Sequence, residues 1–485
     1  MNILDPIQHH ADTMPDAKAI ILPAGTMTWA QLNGLIEGAA VEFRTQGIQP
    51  GQLVGLSVDN PILNLLASLG LAKIAALQVA LPPYDTRKER AAACQLLGVD
   101  CVVCDSNSSD FLQLPIIKFN NIPKPSSSNT KLPDGQATAE DPWMLVRSSG
   151  TTGEPKYAQI SHRLSMERHR RWADAYDYKP DDVFWISLNL STITGKQHSI
   201  SALQAGTPLC LPYGLKSLIE IINFVKFCNT TLAYSIPSSL WNFAQLSNGE
   251  LLLPKIRRFF SGTTELSEEL AKEFKQKVTP NLYLNYGTNE TPCVSVASPQ
   301  LYDSVQNTVG IPHPLMEVQI VDDMLNELAI GETGQIRMRG PGTISCYFKN
   351  PAATSSSFKD GWFYPGDLAY FSQQKALVLQ GRTDEMLIYD GMNIYPAEIE
   401  RAMLSHPSII EAVAFPISHS RYKELPAVAV RLKTSTSEKE LLAWSQQQLG
   451  IKSPRKVFAV KEFPKNQSGK IMRRKLSELV NASLV

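Results

Sequence analysis

Between Thr28 and Phe43 the chain reads TWAQLNGLIEGAAVEF, with apolar residues three and four positions apart and Thr28 set against Gln31 at the spacing of a capping box. This pattern predicts an amphipathic helix with a defined start. QLVGLSV at 52–58 is then a short apolar run of strand length, a second helix opens at Asn60, and QVAL at 78–81 is strand-like again. Such alternation predicts parallel βαβ units. It returns around CVVCD at 101–105, at TPLCLPYG followed by the helical SLIEIINFVKF over 207–227, and at TLAYSIP over 231–237. The expected fold class is α/β, with layered α/β subdomains in a large N-terminal domain.

Between Asn120 and Asp141 the chain is rich in Pro, Ser and Asn and reads as an exposed connection. Beyond about residue 310 glycine turns separate EVQIVDD, GQIRMRG and ALVLQGR, which predicts a small β-subdomain. From Asp384 a separate small α+β unit is expected. It comprises a helix begun by Pro396, strands at EAVAFPI and AVAVRLK, a helix at SEKELLAWSQQQL, a strand at KVFAV and a terminal helix. The expected domains are thus 1–383 and a mobile 384–485. No internal repeat of 20 to 50 residues is present.

Composition narrows the picture. A chain of 485 residues exceeds one hydrophobic core, so at least two domains are expected. Lys plus Arg and Asp plus Glu both number 46, so no global field favours nucleic acid or an acidic membrane. The opening MNILDPIQHHADTMPD lacks the plan of a secretory signal, which predicts a cytoplasmic location. PILNLLASLGLAKIAALQVALPP at 61–83 is the most membrane-like stretch, but Asn64, Lys73 and Gln78 favour a buried helix followed by a strand. The seven cysteines resemble no disulfide framework, and Cys101 with Cys104 lacks a second ligand pair for zinc.

The stretch SSGTTGEPK at 148–156 follows the strand-like PWMLVR. Its glycines permit close approach, its hydroxyls and successive backbone N–H groups suit phosphate oxygens, and Lys156 adds a point charge. Pro155 before the lysine and the extended KYAQIS after it exclude a Walker P-loop, which must open a helix. A solvated Ser/Thr loop is the plainer alternative.

Further stretches weigh against that alternative: SGTTELS at 261–267, NYGTNE at 285–290, YPGDLA at 364–369, GRTDEMLIYDGMNIYPAEIE at 381–400 and PKNQSGKIMRRKL at 464–476. With SSGTTGEPK, and in this order, they resemble the adenylate-forming superfamily of acyl-CoA synthetases, nonribosomal peptide synthetase adenylation domains and luciferases. The resemblance spans nearly the whole chain. It implies ATP-dependent formation of an acyl-adenylate, release of pyrophosphate, and transfer of the acyl group to a thiol. That thiol belongs to coenzyme A or to a phosphopantetheinyl carrier protein.

The resemblance assigns roles residue by residue. Ser148, Ser149, Gly150, Thr151, Thr152, Gly153 and Lys156 would hold the β- and γ-phosphates, with Thr151 counted among the catalytic residues. Gly262, Thr263 and Thr264 would border adenine and the acyl pocket. In Asn285, Tyr286 and Gly287, the tyrosine would lie on adenine, and Glu290 would bind magnesium. A carboxylate suits a hard cation that bridges phosphates. Asp367 would hold both ribose hydroxyls with Arg382 beside it, and Asp384 would be the hinge. Lys470 would swing in to neutralise the carboxylate and the α-phosphate. Gly391, Met392 and Asn393 would line the thiol channel.

Asn289, Pro365 and Tyr157 depart from the family pattern, two replacing threonine and the last glycine. Counting back from Ala205 and Gly206 in WISLNLSTITGKQHSISALQAG puts Ser191 at the histidine-like position and Ile193 where amino-acid-activating domains carry aspartate. An α-ammonium would then lack its counter-charge, a costly burial. The expected substrate is a carboxylic acid without an α-amino group, in a pocket lined by Ser191, Ile193, Gln197, Tyr234, Ser238, Thr288 and Cys293. Two alternatives stand beside coenzyme A ligation: loading of a separate carrier protein, and nucleotide binding without ligase chemistry. No nucleic acid or integral membrane association is expected.

Overall fold

The computed structural model describes residues 1–105, 111, 114–126, 137–148, 155–263, 266–383, 387–389, 392–419, 423–465 and 471–483, with all their side chains but those of residues 238, 387–389, 392–393, 418–419, 423–424, 474 and 481–483. Thr28 Oγ1 accepts from Gln31 N at 3.3 Å while Gln31 Oε1 accepts from Thr28 N at 2.9 Å, so the helix Trp29–Thr45 starts on a reciprocal cap. Its apolar face rests on the helix Pro61–Lys73. A Cβ at Gly70 would stand 2.8 Å from Ala39 Cβ, so glycine sets how closely the two helices meet. Lys73, at the end of that buried helix, pairs with Glu37 at 2.6 Å. No helix among the described residues is long and apolar enough to cross a membrane.

One sheet runs Ile116–Lys118, Cys101–Cys104, Leu53–Ser57, Leu77–Ala80, Pro142–Ser148, Lys156–Ser161 in spatial order. All neighbours are parallel except the last pair, which turns back antiparallel. A second sheet sets Lys18–Leu22, Leu209–Cys210, Phe184–Ile186, Leu232–Ser235, Arg258–Ser261 and Leu282–Tyr286 side by side, all parallel. Helices flank both sheets, and one apolar core joins Trp29, Leu66, Val103, Trp143, Trp172 and Tyr234 across them. The α/β class expected from the alternation is the class found.

The strand-rich region beyond residue 310 has a core of its own around Met316, Ile336, Met338, Phe363 and Leu377, yet its strands are joined to the second sheet. It continues the second sheet through Ser295–Ala297, Thr308–Pro312, Leu377–Arg382, Asp367–Phe371 and Gly334–Arg339, all antiparallel. The crossing depends on Gly310, whose φ is +104° and whose added Cβ would fall 1.9 Å from the Val296 carbonyl carbon.

The C-terminal part carries its own sheet, in which Ile409–His419 and Lys423–Leu432 form a hairpin and Lys456–Ala459 adds in parallel. The hairpin strands extend past the EAVAFPI and AVAVRLK runs because the pairing continues to His419 and Lys423. Helices Pro396–Leu404 and Glu438–Leu449 cover one face over Ile399, Met403 and Val428, and Arg473–Ser483 covers the other over Phe415 and Leu476. The contacts of this unit with the rest include Arg401 Nη2 donating to Leu379 O at 2.6 Å and the Arg431 guanidinium 5.8 Å from the Trp241 ring centre. All seven cysteines are free thiols, six buried and Cys346 exposed.

Candidate active site

Strand ends of both sheets converge on the sequence motifs. Ser148 and Lys156 face each other across the antiparallel pair Pro142–Ser148 and Lys156–Ser161. Lys156 therefore begins a strand, in keeping with the exclusion of a Walker loop. Ser149, Gly150, Thr151, Thr152 and Gly153, which connect the two strands, lie outside the described residues.

Lys156 leads directly to Glu290. Its Nζ lies 5.3 Å from the centre of the Tyr347 ring, and Tyr347 Oη donates to Glu290 Oε1 at 2.8 Å. Glu290 is 4% exposed, so the bond forms in a low-dielectric setting where a charge-assisted contact counts. Burial, and next the Glu290 carboxylate, push the Tyr347 hydroxyl up, which keeps it a donor. The Glu290 carbonyl accepts from Arg168 Nη2 at 2.9 Å, and burial pushes Arg168 down to about 9. Asn289 Nδ2 donates to Arg147 O at 2.9 Å, fastening the 285–290 segment to the strand that carries the loop. The asparagine that departs from the family pattern thus makes a contact of its own.

A second cluster forms where Leu282–Tyr286 ends. Tyr286 Oη donates to Asp367 Oδ2 at 2.5 Å, and Arg382 Nη1 donates to Asp367 Oδ1 at 2.8 Å. Asp367 and Arg382 are register partners on neighbouring strands, so the ion pair is set by sheet pairing. Burial foremost, then Asp367, pushes the Tyr286 hydroxyl well up, so it remains a donor. Gly366, at φ +82°, makes the turn before Asp367. Gly262 touches Asn285, where an added Cβ would come 2.6 Å from Oδ1, and Thr263 holds φ +77°. That positive φ in a β-branched residue is a strained backbone at the border of the cluster. Thr264 lies outside the described residues. Gly287 lets the next turn fold onto Cys293 N, 2.6 Å from where its Cβ would stand.

The residues expected to line the acid pocket fall in several separate settings. Ser191 is 4% exposed and its Oγ meets Tyr84 Oη at 2.9 Å, while half-buried Ile193 opens the helix Ile193–Gln204 under the Thr192 cap. Gln197 lines a narrow cleft with Trp143, Arg168, His169 and Trp172. Tyr234 and Cys293 are buried in packed core: Tyr234 stacks on His198 with ring centres 4.1 Å apart, and Cys293 Sγ contacts Arg171 O at 3.8 Å. Thr288 N donates to Thr291 O at 3.0 Å and holds the turn after Tyr286. Ser238 lies on the helix Pro237–Ala244, outside the described side chains. Asp384, Gly391 and Lys470 lie outside the described residues, and Met392 and Asn393 contribute only strand backbone, paired with Leu387–Tyr389. Tyr84, Tyr347 and Arg168 belong to these clusters without having been picked out in the sequence.

Residues 7–348 match the family model described as AMP-binding enzyme, and residues 398–470 match the AMP-binding enzyme C-terminal domain. The chain belongs to the AMP-binding enzyme family. Among its AMP-binding relatives, 4-coumarate–CoA ligase-like 6 of Arabidopsis thaliana is 26% identical over 98% of this chain and 89% of that protein. The 3-hydroxybenzoate–CoA ligase of Aromatoleum sp. (strain CIB) is 27% identical over 97% of this chain and 95% of its own. Among solved structures, the o-succinylbenzoate CoA synthetase of Bacillus subtilis, in complex with its acyl-adenylate intermediate, superposes with a TM-score of 0.89 at 22% identity, covering 97% of each chain. The fold is thus that of the adenylate-forming enzymes, with a large N-terminal and a smaller C-terminal domain. This AMP-binding protein is an adenylate-forming acid–thiol ligase of the acyl-CoA synthetase kind.

Proposed function

We propose that the protein joins a carboxylic acid without an α-amino group to coenzyme A in two half-reactions at one site. In the first, a carboxylate oxygen attacks the α-phosphorus of ATP, the bond to the bridging oxygen of the β-phosphate breaks, and pyrophosphate leaves. In the second, the thiol sulfur attacks the acyl carbon, AMP leaves, and the thiol proton passes to solvent. The first encounter joins two anions, so it needs positioning and charge neutralisation more than a strong base.

The observation that carries this reading is the Tyr286–Asp367–Arg382 cluster, with the Lys156–Tyr347–Glu290 chain as the second arm of the site. Asp367 accepts from Tyr286 on one oxygen and from Arg382 on the other, so the carboxylate is held in a fixed orientation, and two acceptor oxygens suit the two hydroxyls of a ribose. Tyr286 would border adenine, and Ser148 with Lys156 and the five residues between 148 and 154 would hold the terminal phosphates. One Glu290 oxygen is tied to Tyr347, and the other makes no hydrogen bond among the described residues, which fits a hard cation beside phosphate. Magnesium bound there supplies charge neutralisation of the phosphate oxygens. Lys470 would neutralise the α-phosphate and the incoming carboxylate, and Asp384 would carry the rotation that exchanges it for Gly391, Met392 and Asn393 along the thiol path.

An uncharged Ile193 at the opening of its helix supports exclusion of an α-ammonium, and the names of the relatives support coenzyme A as acceptor. The same reading places the enzyme in the cytoplasm. Pyrophosphate exchange over a panel of acids tests it: exchange confined to α-amino acids overturns the substrate class. Replacing Lys470 with alanine should lower adenylate formation by about 100- to 1,000-fold, and an undiminished rate overturns the mechanism.

A further inference from the structure

Lys196 is 3% exposed on the helix Ile193–Gln204, yet its ammonium has no hydrogen-bond or ion-pair partner among the described residues. Burial is the whole cause that pushes it down to about 7. Lys73, the comparable lysine at the end of a buried helix, has Glu37 at 2.6 Å. Ser199, three residues after Lys196 on the same helix face, is fully buried, and its Oγ is also without a partner. The Ser199 hydroxyl therefore lacks what buried polar groups normally have, and Lys196, on the same stripe, is enclosed with no acidic partner among the described residues.

Their place makes this more telling. Lys196 lies in the first turn, where the helix dipole disfavours a cation, so the fold gains nothing electrostatically from a lysine there. Helical side chains lean toward the N-terminus, which directs the Lys196 stem toward the end formed by Ser191, Thr192 and Ile193. That end is where the acid is proposed to bind. A buried ammonium, a neighbouring hydroxyl and a helix N-terminus together make a receptor for one negative charge.

We infer that Lys196 and Ser199 receive a second anionic group on the acid, so that the preferred substrate is a dianion: one carboxylate is adenylated and the other anchors at the start of the helix Ile193–Gln204. This rests on the ligase reading above. It gives the site a means of orienting a substrate with two similar ends, since only the end away from Lys196 reaches the nucleotide. It also predicts that Ile193 rejects ammonium while Lys196, three residues on, selects for carboxylate.

The test compares matched acids that differ by one carboxylate: butanoate with succinate, pentanoate with glutarate, and benzoate with phthalate. Pyrophosphate exchange and thermal-shift binding are measured for wild type, Lys196→Met and Ser199→Ala, with melts confirming that each variant folds. The wild type should favour at least one dianion over its partner by kcat/KM, and Lys196→Met should cut that ratio by about 10- to 100-fold, a charge-assisted contact being lost. Ser199→Ala should cut it by less. A wild type that exchanges with the monoanions and not the dianions overturns the anion site while the ligase reading stands. A preference that survives in Lys196→Met also overturns it. Lys196-dependent binding of a dianion with no exchange by any acid supports the anion site and removes the ligase reading.

Discussion

Tyr347→Phe is a narrow perturbation of the proposed metal site, because it deletes one oxygen and keeps the ring. The ring retains its contact with Lys156 at 5.3 Å and its edge on Phe358 at 5.5 Å, so packing is preserved. What is lost is the 2.8 Å bond to Glu290 Oε1. A hydrogen bond to an ionised group contributes about 1.5–3 kcal/mol, and about 1.4 kcal/mol corresponds to a factor of ten. Glu290 is 4% exposed, so little water replaces the lost donor and the upper part of that range applies. Loss of a partner that orients a metal-binding carboxylate costs roughly 10- to 100-fold in metal affinity. At saturating ATP and acid, the magnesium concentration for half-maximal pyrophosphate exchange should therefore rise by about 10- to 100-fold, with recovery at high magnesium. Coincident magnesium titrations of the variant and wild type would refute the reasoning, as would a loss of rate that no magnesium concentration restores.

Asp367→Asn removes the charge that pairs with Arg382 and weakens the acceptor of Tyr286, so KM for ATP should rise by about 10- to 100-fold in the exchange assay while the response to acid changes less. Gly310→Ala places a Cβ on the Val296 carbonyl at φ +104°, and urea unfolding should show at least about 3 kcal/mol of destabilisation. Acid should destabilise the fold through its buried histidines: burial pushes His162 and His169 down to about 4 and His198 to about 3. Each lowered value favours the neutral ring in the folded state, so stability is full above about pH 6.5 and falls as the pH drops toward about 4, by up to roughly 1.4 kcal/mol per histidine per pH unit. Chemical unfolding between pH 7.5 and 5 should show this slope, and His162→Asn should make it shallower.

What could be read from the chain was local. Thr28 and Gln31 stand three residues apart and cap each other, and the apolar runs at Leu53–Ser57, Leu77–Ala80 and Leu232–Ser235 became strands. The motifs named Tyr286, Asp367 and Arg382, and the sheet brings these three into contact. What escaped the sequence depends on distant pairing or on polar residues that fold inward. Tyr84 and Ser191 are 107 positions apart, and nothing in LPPYDT announces the contact. Arg168 and Arg171 sit in RLSMERHRRWADAY, where repeated arginine reads as a solvated face, yet both guanidiniums are buried against carbonyls or side chains of the 290–342 region. Tyr347 lies outside the quoted motifs and joins two of them only because Ala158 and Tyr347 meet as a β-bridge. The terminal hairpin was longer than its apolar cores because backbone pairing carries on through residues without an apolar pattern.

Cys346 is the one thiol of the seven that faces water, and it immediately precedes the tyrosine that joins Lys156 to Glu290. A maleimide dye should therefore attach at a single position without any engineered cysteine, leaving six sulfurs untouched while the chain stays folded. The label would sit one residue from Tyr347, beside the proposed phosphate site, and its fluorescence would report nucleotide arrival there in the native chain.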